Sequence, residues 1–261
     1  MNTIAVKLRK GDEIIFCKPK DTKLDFLRGE QLIIKNQLGL EDGQVEFEEK
    51  DGKKIEIIGE IVRKATKEDL EKIEKIKAEE KADTRMFIEK ILQYGLPMKH
   101  AQTHLSFDEK RLTFFFTAEG RVDFRDLVKD LVSTFRKLIR LQQIGPRDDA
   151  RLRGGFGPCG RSLCCQSFLT KIESVTMERA REQKLNTVAS SKISGLCGKL
   201  MCCLAFEEKL YEELRKKMPE IGTKVKTPAG EKGRVIGQNV LMGKVLVELT
   251  NGTKTEIKLK E

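Results

Sequence analysis

The sequence predicts a mixed α+β fold in three sections: a small β-barrel-like domain over residues 1–65, a central α/β sandwich with cysteine-rich loops over 66–220, and a C-terminal β module over 221–261. Three observations point there. Short apolar runs separated by glycine turns recur at both ends of the chain, the pattern of small closed or nearly closed sheets. Helical and strand periods alternate between those ends, as in a layered α+β domain. Inside the middle section one cysteine pattern occurs twice and takes up six of the chain's seven cysteines.

The elements follow in order. Residues 4–8 and 13–17 are apolar strands around a Lys10-Gly11-Asp12 turn, a hairpin signal. Further strands are expected at 31–34, 44–47, 54–58 and 60–63. Cys17 stands alone at a strand end and is expected to pack as a small hydrophobe. Thr66, with Asp69 three residues on, is placed to cap a helix. Its charged continuation over 68–81 reads as a solvated linking helix. A second, amphipathic helix over 85–94 stops at Gly95 before Pro97.

Strands at 98–107 and 111–117, a helix over 123–138 and a strand over 138–144 complete an α-β-β-α-β order. His100 and His104 share the first of these strands. At ~3.3 Å per residue they lie about 13 Å apart, too far to hold one ion, and are expected as core or surface residues. The run Phe114 to Phe116 is expected as sheet core rather than a base-stacking platform. Past Gly145-Pro146 the chain reads as a basic loop, with Arg147, Arg151, Arg153 and Arg161 crowded against Asp148 and Asp149. Helices over 175–186 and 206–218 follow, the second stopped by Pro219. The last forty residues, with strands near 224–226, 232–237, 243–249 and 252–257, resemble SH3/KOW-like barrels.

Charge and composition narrow the function. Lys and Arg exceed Asp and Glu by 51 to 41, a formal +10, which favours a polyanionic partner, RNA among them. Residues 1–16 are broken by charges and hold no signal-peptide core. No run approaches the ~18 apolar residues of a membrane span. The chain is therefore expected in the cytoplasm, where clustered cysteines are metal ligands or redox groups rather than disulfides.

The cysteine pattern reads Gly157-Pro158-Cys159-Gly160-Arg161 with Cys164-Cys165, and returns as Gly195-Leu196-Cys197-Gly198-Lys199 with Cys202-Cys203. The C-x4-C-C spacing differs from the paired C-x2-C knuckles of zinc ribbons, and zinc closes at four ligands. Two adjacent cysteines in an extended segment would point to opposite sides. An iron–sulfur centre of the 4Fe–4S type takes thiolates, and the glycines let backbone N–H groups approach its sulfurs. Arg153, Arg161 and Lys199 would offset its negative charge. Zinc remains the alternative. No Cys–His or Ser–His–Asp arrangement accompanies the sulfurs, so nucleophilic catalysis has little support.

These two segments, with the junction Arg63-Lys64-Ala65-Thr66-Lys67-Glu68-Asp69-Leu70, closely resemble the RicT (YaaT) family, whose members carry a PSP1 C-terminal domain. The resemblance covers residues 1 to about 220. It implies a non-enzymatic regulator that joins RicA- and RicF-like small proteins in a complex holding two 4Fe–4S clusters. It also implies action with ribonuclease Y in mRNA maturation, and on the sporulation phosphorelay, competence and biofilm formation. Carried onto this chain, the implied ligands are Cys159, Cys164, Cys165, Cys197, Cys202 and Cys203, with some ligands supplied by partners. Arg147, Arg151, Arg153, Arg161 and Lys199 are the expected nucleic-acid or partner contacts.

Overall fold

A computed structural model describes residues 3–9, 14–20, 25–49, 56–169, 172–183, 185, 189–228 and 230–258. The chain divides into two compact units: Met1–Phe156 with Gln166–Thr170, and Gly157–Cys165 with Lys171–Glu261.

The first unit begins with the expected barrel. Strands β1 (Thr3–Leu8), β2 (Ile14–Pro19), β3 (Gln31–Asn36), β4 (Gly39–Glu49) and β5 (Gly59–Lys64) close in the order β1-β2-β5-β3-β4. Alternation does the work: Ile4, Val6 and Leu8 point inward to meet Ile15, Cys17, Leu32, Ile34, Val45 and Ile61. Cys17 is fully buried there, and burial pushes its thiol up to about 12. The expected turn at 10–12 lies outside the described residues, as do residues 54 and 55 of the strand expected at 54–58, whose last three residues carry no strand. Closure comes instead from a parallel pairing of β2 with β5. Gly43 and Gly59 leave no room for a Cβ beside Val6, Ile34 and the neighbouring carbonyls, so the strands can approach there.

Two helices were expected over 68–94. One continuous helix, α1 (Lys67–Gln93), replaces them, and it is not a solvated linker. Asp69, Ile73, Ile76, Asp83, Phe87 and Ile91 form one buried stripe along its length, the spacing of a helix face set against a core. Its N-terminus is closed as the sequence suggested. Thr66 N–H donates to Asp69 (2.8 Å), Asp69 N–H donates to the Thr66 hydroxyl (3.3 Å), and Arg63 adds an ion pair.

The helix covers a three-stranded sheet, β6-β7-β8, made of β6 (Lys99–Leu105), β7 (Arg111–Thr117) and β8 (Leu138–Gln143). Strand β7 runs antiparallel to β6 and parallel to β8, so α2 (Arg125–Phe135) is the crossover that a parallel pair requires. That helix stops three residues short of expectation because Arg136 turns left-handed (φ 53°). Phe87 stacks on Phe114 at 4.1 Å, and Phe114 and Phe116 are buried in the core with Leu105, Leu112, Leu127 and Leu131. His104 is buried, with Nε2 2.6 Å from Glu41, while His100 lies 2.9 Å from the Thr103 hydroxyl. Both are packing residues.

The segment read as a basic loop is a helix, α3 (Pro146–Arg153). Proline at its first position fixes φ without losing a needed donor. Asp148 accepts from Gly145 N–H (3.3 Å), and Asp149 pairs with Arg153 at 2.8 Å. Acids at the start and arginines at the end match the helix dipole.

The second unit holds the helical segments α4 (Cys164–Ser167), α5 (Met177–Glu182) and α6 (Cys203–Lys216), α4 crossing its boundary with the first. The helix expected over 175–186 is shorter, and 184 and 186–188 lie outside the described residues. Ala180, Ile193 and Leu204 make its first small core. Strands β9 (Lys224–Lys226), β10 (Lys232–Asn239), β11 (Lys244–Leu249) and β12 (Lys254–Lys258) form an antiparallel sheet in the order β12-β11-β10-β9. Its apolar face, with Val235, Val240, Val245, Val247 and Leu249, packs on Met218, Tyr211 and Leu214. Among the described residues no helix is long and apolar enough to cross a membrane.

Candidate metal centre

All six paired cysteines fall in the second unit. The two halves of the pattern fold alike, bond for bond. Gly157 N–H donates to Arg161 O (2.8 Å) and Gly160 N–H to Gly157 O (2.9 Å). At a shift of 38 residues, Gly195 N–H donates to Lys199 O (2.8 Å) and Gly198 N–H to Gly195 O (2.9 Å). Gly160 and Gly198 adopt φ +74° and +75°, a region that L side chains rarely enter, which is why Cys-Gly recurs. A Cβ at Gly157 or Gly195 would stand 3.5 Å from the Cys159 sulfur or 3.7 Å from the Cys197 sulfur. The turns thus hold their first cysteines in one shared conformation.

The vicinal pairs sit on helical turns, not in the extended segments expected. Cys164 and Cys165 open α4; Cys202 caps α6 and Cys203 is its first residue. Helical neighbours diverge by about 100° rather than 180°. Cys165 is buried, whereas Cys164, Cys202 and Cys203 are half-buried and Cys159 is exposed. The local cause is the apolar residue beside each pair: Leu163 and Leu204 go into the protein and pin the start of each helix.

Electrostatics identify which thiols are neighbours. Burial raises the Cys164 thiol, and the charges of Cys202 and Cys159 raise it further. Cys203 is pushed up to about 11, first by burial, then by Glu207, Cys164 and Cys202. Cys159, Cys164, Cys202 and Cys203 therefore share one neighbourhood, two from each turn. Burial outweighs the thiolate-favouring N-terminus of α6 at Cys203. Among the described residues no three His, Cys, Asp or Glu side chains close on a single metal-sized point. Glu207 is the neighbour that sequence reasoning missed; its i,i+4 spacing from Cys203 on α6 was the available signal.

The donor type, though not the present spacing of the side chains, is that of a thiolate-bound metal site. Four thiols match the ligand count of a zinc site or a 4Fe–4S cluster. Neighbouring thiols raise the pKa of Cys164 and of Cys203, and a bound cation would reverse that sign. The basic residues divide. Arg147, Arg151 and Arg153 ride on α3 in the first unit, where Arg153 is held by Asp149 and donates to the His100 carbonyl at 3.2 Å. Arg161 and Lys199 project from the two cysteine turns and are exposed.

Comparison with known proteins places the chain. The PSP1 C-terminal conserved region matches residues 59–144, and the third domain of PSP1-like proteins matches residues 174–218. The stage 0 sporulation protein YaaT of Bacillus subtilis is 38% identical over 256 residues, 97% of this chain and 92% of that protein. An uncharacterised protein of Schizosaccharomyces pombe is 32% identical over 80 residues, 30% of this chain and 10% of its own. No solved structure matches the chain. With α1 and its sheet inside one conserved region and α5 and α6 inside the other, the chain belongs to the PSP1-domain family of the stage 0 sporulation protein YaaT.

Proposed function

We propose that this chain is a non-enzymatic cytoplasmic regulator of sporulation that carries a 4Fe–4S cluster on its duplicated cysteine turns. The observation that carries this is the pairing of two identical turns that bring Cys159, Cys164, Cys202 and Cys203 into one neighbourhood. A 4Fe–4S cluster would supply a one-electron centre sensitive to oxygen. The chain's own residues do the rest. The positive-φ glycines hold the turns open, Leu163 and Leu204 anchor the helix starts, and Arg161 and Lys199 stand beside the thiols as counter-charges.

Cys165 and Cys197 complete a second centre with ligands from RicA- and RicF-like partners. Leu196 and Phe206 support a partner there, since both are large, apolar and more than half exposed close to the cysteines. Through that complex the chain acts with ribonuclease Y on mRNA maturation, and on competence and biofilm formation. The SH3/KOW-like reading of the C-terminal sheet belongs to the same proposal, as the part that faces RNA.

Anaerobic purification of the full chain, followed by iron, sulfide and zinc analysis, tests this. Equal iron and sulfide with broad visible absorbance is expected. The Cys164→Ser/Cys203→Ser variant loses both, and Cys17→Ser, in the barrel core, keeps them. Stoichiometric zinc without sulfide, even after anaerobic reconstitution with the partners, overturns the cluster. It leaves a zinc-stabilised nucleic-acid-binding module.

A further inference from the structure

The C-terminal sheet places like charges where a sheet ordinarily avoids them. In the β9–β10 register Lys226 faces Lys232 and Lys224 faces Arg234. Directly opposed side chains share a face, with Cα atoms ~5 Å apart across the pair and ~7 Å apart along each strand. The result is a two-by-two array of cations on one face, an arrangement that costs stability in an antiparallel pair. All four are exposed, and none forms an ion pair with a described residue. The same row continues to Glu248 on β11, opposite Arg234, and then to Lys254 on β12, opposite Glu248. One carboxylate thus lies between two cations and leaves the other three uncompensated.

This face floors an open groove of about 820 Å³, lined by Lys224, Lys226, Lys232, Arg234 and Glu248, with Thr250 at its edge. Among the described residues no aromatic side chain lines it, and its apolar residues Val225 and Leu249 are half-buried and buried. A membrane would need an apolar wedge, and a tight protein interface an aromatic or aliphatic anchor. Neither is present. What the groove offers is closely spaced positive charge with no stacking surface, the chemistry that positions a phosphate chain without reading bases.

We propose that this groove grips the sugar–phosphate backbone of a nucleic-acid strand, independently of its sequence. A bound strand neutralises the unfavourable cross-strand pairs. This inference rests on the reading of the C-terminal sheet as the part that faces RNA, but not on what the thiols hold, and its readout is separate from iron content.

Fluorescence anisotropy of the full chain with labelled twelve-residue oligo(U) and oligo(dT), from 50 to 200 mM KCl, tests it. Four phosphate contacts give a log–log salt slope of about −2.8, and Lys226→Gln/Lys232→Gln lowers it to about −1.4. Lys232→Glu turns a like pair into an opposite pair. It is expected to weaken binding at 100 mM KCl about tenfold while leaving the melting temperature equal or higher. A role confined to holding the fold would move the two together. Lys209→Glu/Lys217→Glu, on and just past α6, is expected to change affinity less than twofold. Equal binding of the two oligomers supports a backbone grip. An unchanged slope in Lys226→Gln/Lys232→Gln, an equal loss in the α6 variant, or equally tight binding of poly-glutamate overturns it.

Discussion

At position 83, α1 turns a carboxylate into the protein where little receives it. One oxygen of Asp83 has no hydrogen-bond partner, and the side chain is nearly buried. Burial pushes its pKa up to about 6, the charges of Glu79 and Glu80 push the same way, and Lys137 pulls against them. For an acid raised in the folded state, stability falls as pH climbs from the unfolded value near 4 to the folded value near 6, then stays low. Asp83→Asn is therefore expected to stabilise the chain at pH 7 by about 1–2 kcal/mol, below the ~3 kcal/mol that two pKa units represent, since the attraction to Lys137 is also lost. The gain should shrink at pH 5. Urea unfolding at both pH values measures it, and an equal effect at the two would discount the buried charge. Asp83 was not legible in the sequence, because its burial depends on what α1 packs against. The glycines of the cysteine turns were legible, since a positive φ leaves its mark in the residue type itself. That both histidines would pack rather than ligate was legible from strand spacing. The partner of His104 was not, because Glu41 lies 63 residues away.

Among the elements, α1 departs furthest from expectation. Its capping residues were read from sequence, but its middle was read as solvated because Lys and Glu crowd 71–81. Ile73 and Ile76 lie among those charges and are buried against the sheet and barrel residues of the first core. Two apolar residues three apart are too short a pattern to separate a core stripe from a solvated helix. Ile76→Ala distinguishes them. A core position costs about 2–5 kcal/mol when truncated, whereas an exposed one changes stability by less than about 0.5 kcal/mol. Ile76 is 2% exposed, so the larger loss is expected in urea unfolding of the full chain, and a value near zero would restore the linker reading. The missed helix α3 has a different cause. Its signals were present in Pro146, Asp148 and Asp149, but two turns rich in charged residues show no apolar period, and only Ala150 is buried. Strand β8 was placed correctly, but its parallel direction depends on the crossover rather than on its own residues.

Across the whole molecule the positive charge is uneven. The second unit carries 19 Lys and Arg against 12 acidic residues, a net +7, while the larger first unit holds the remaining +3. The unit with the thiols and the basic face is thus also the one with the polyanion-attracting charge. Each unit has its own apolar clusters: the barrel and sheet cores in the first, and the clusters around Leu204 and Val247 in the second. Each unit also holds one buried cysteine that can serve as a reporter. Cys17 lies in the barrel, and Cys165 is the buried thiol of the second unit. Pulsed alkylation across a urea series, read by mass spectrometry, follows both in one experiment. Ile61→Ala, truncating a barrel residue that is 1% exposed, costs about 2–5 kcal/mol. At a slope of 1–3 kcal/mol per molar urea, the midpoint for Cys17 labelling should fall by about 1 M or more. If the barrel core stands on its own contacts, the Cys165 midpoint stays in place, and Val247→Ala produces the reverse pattern. Equal shifts of both thiols in both variants would mean that the clusters melt as a single cooperative core.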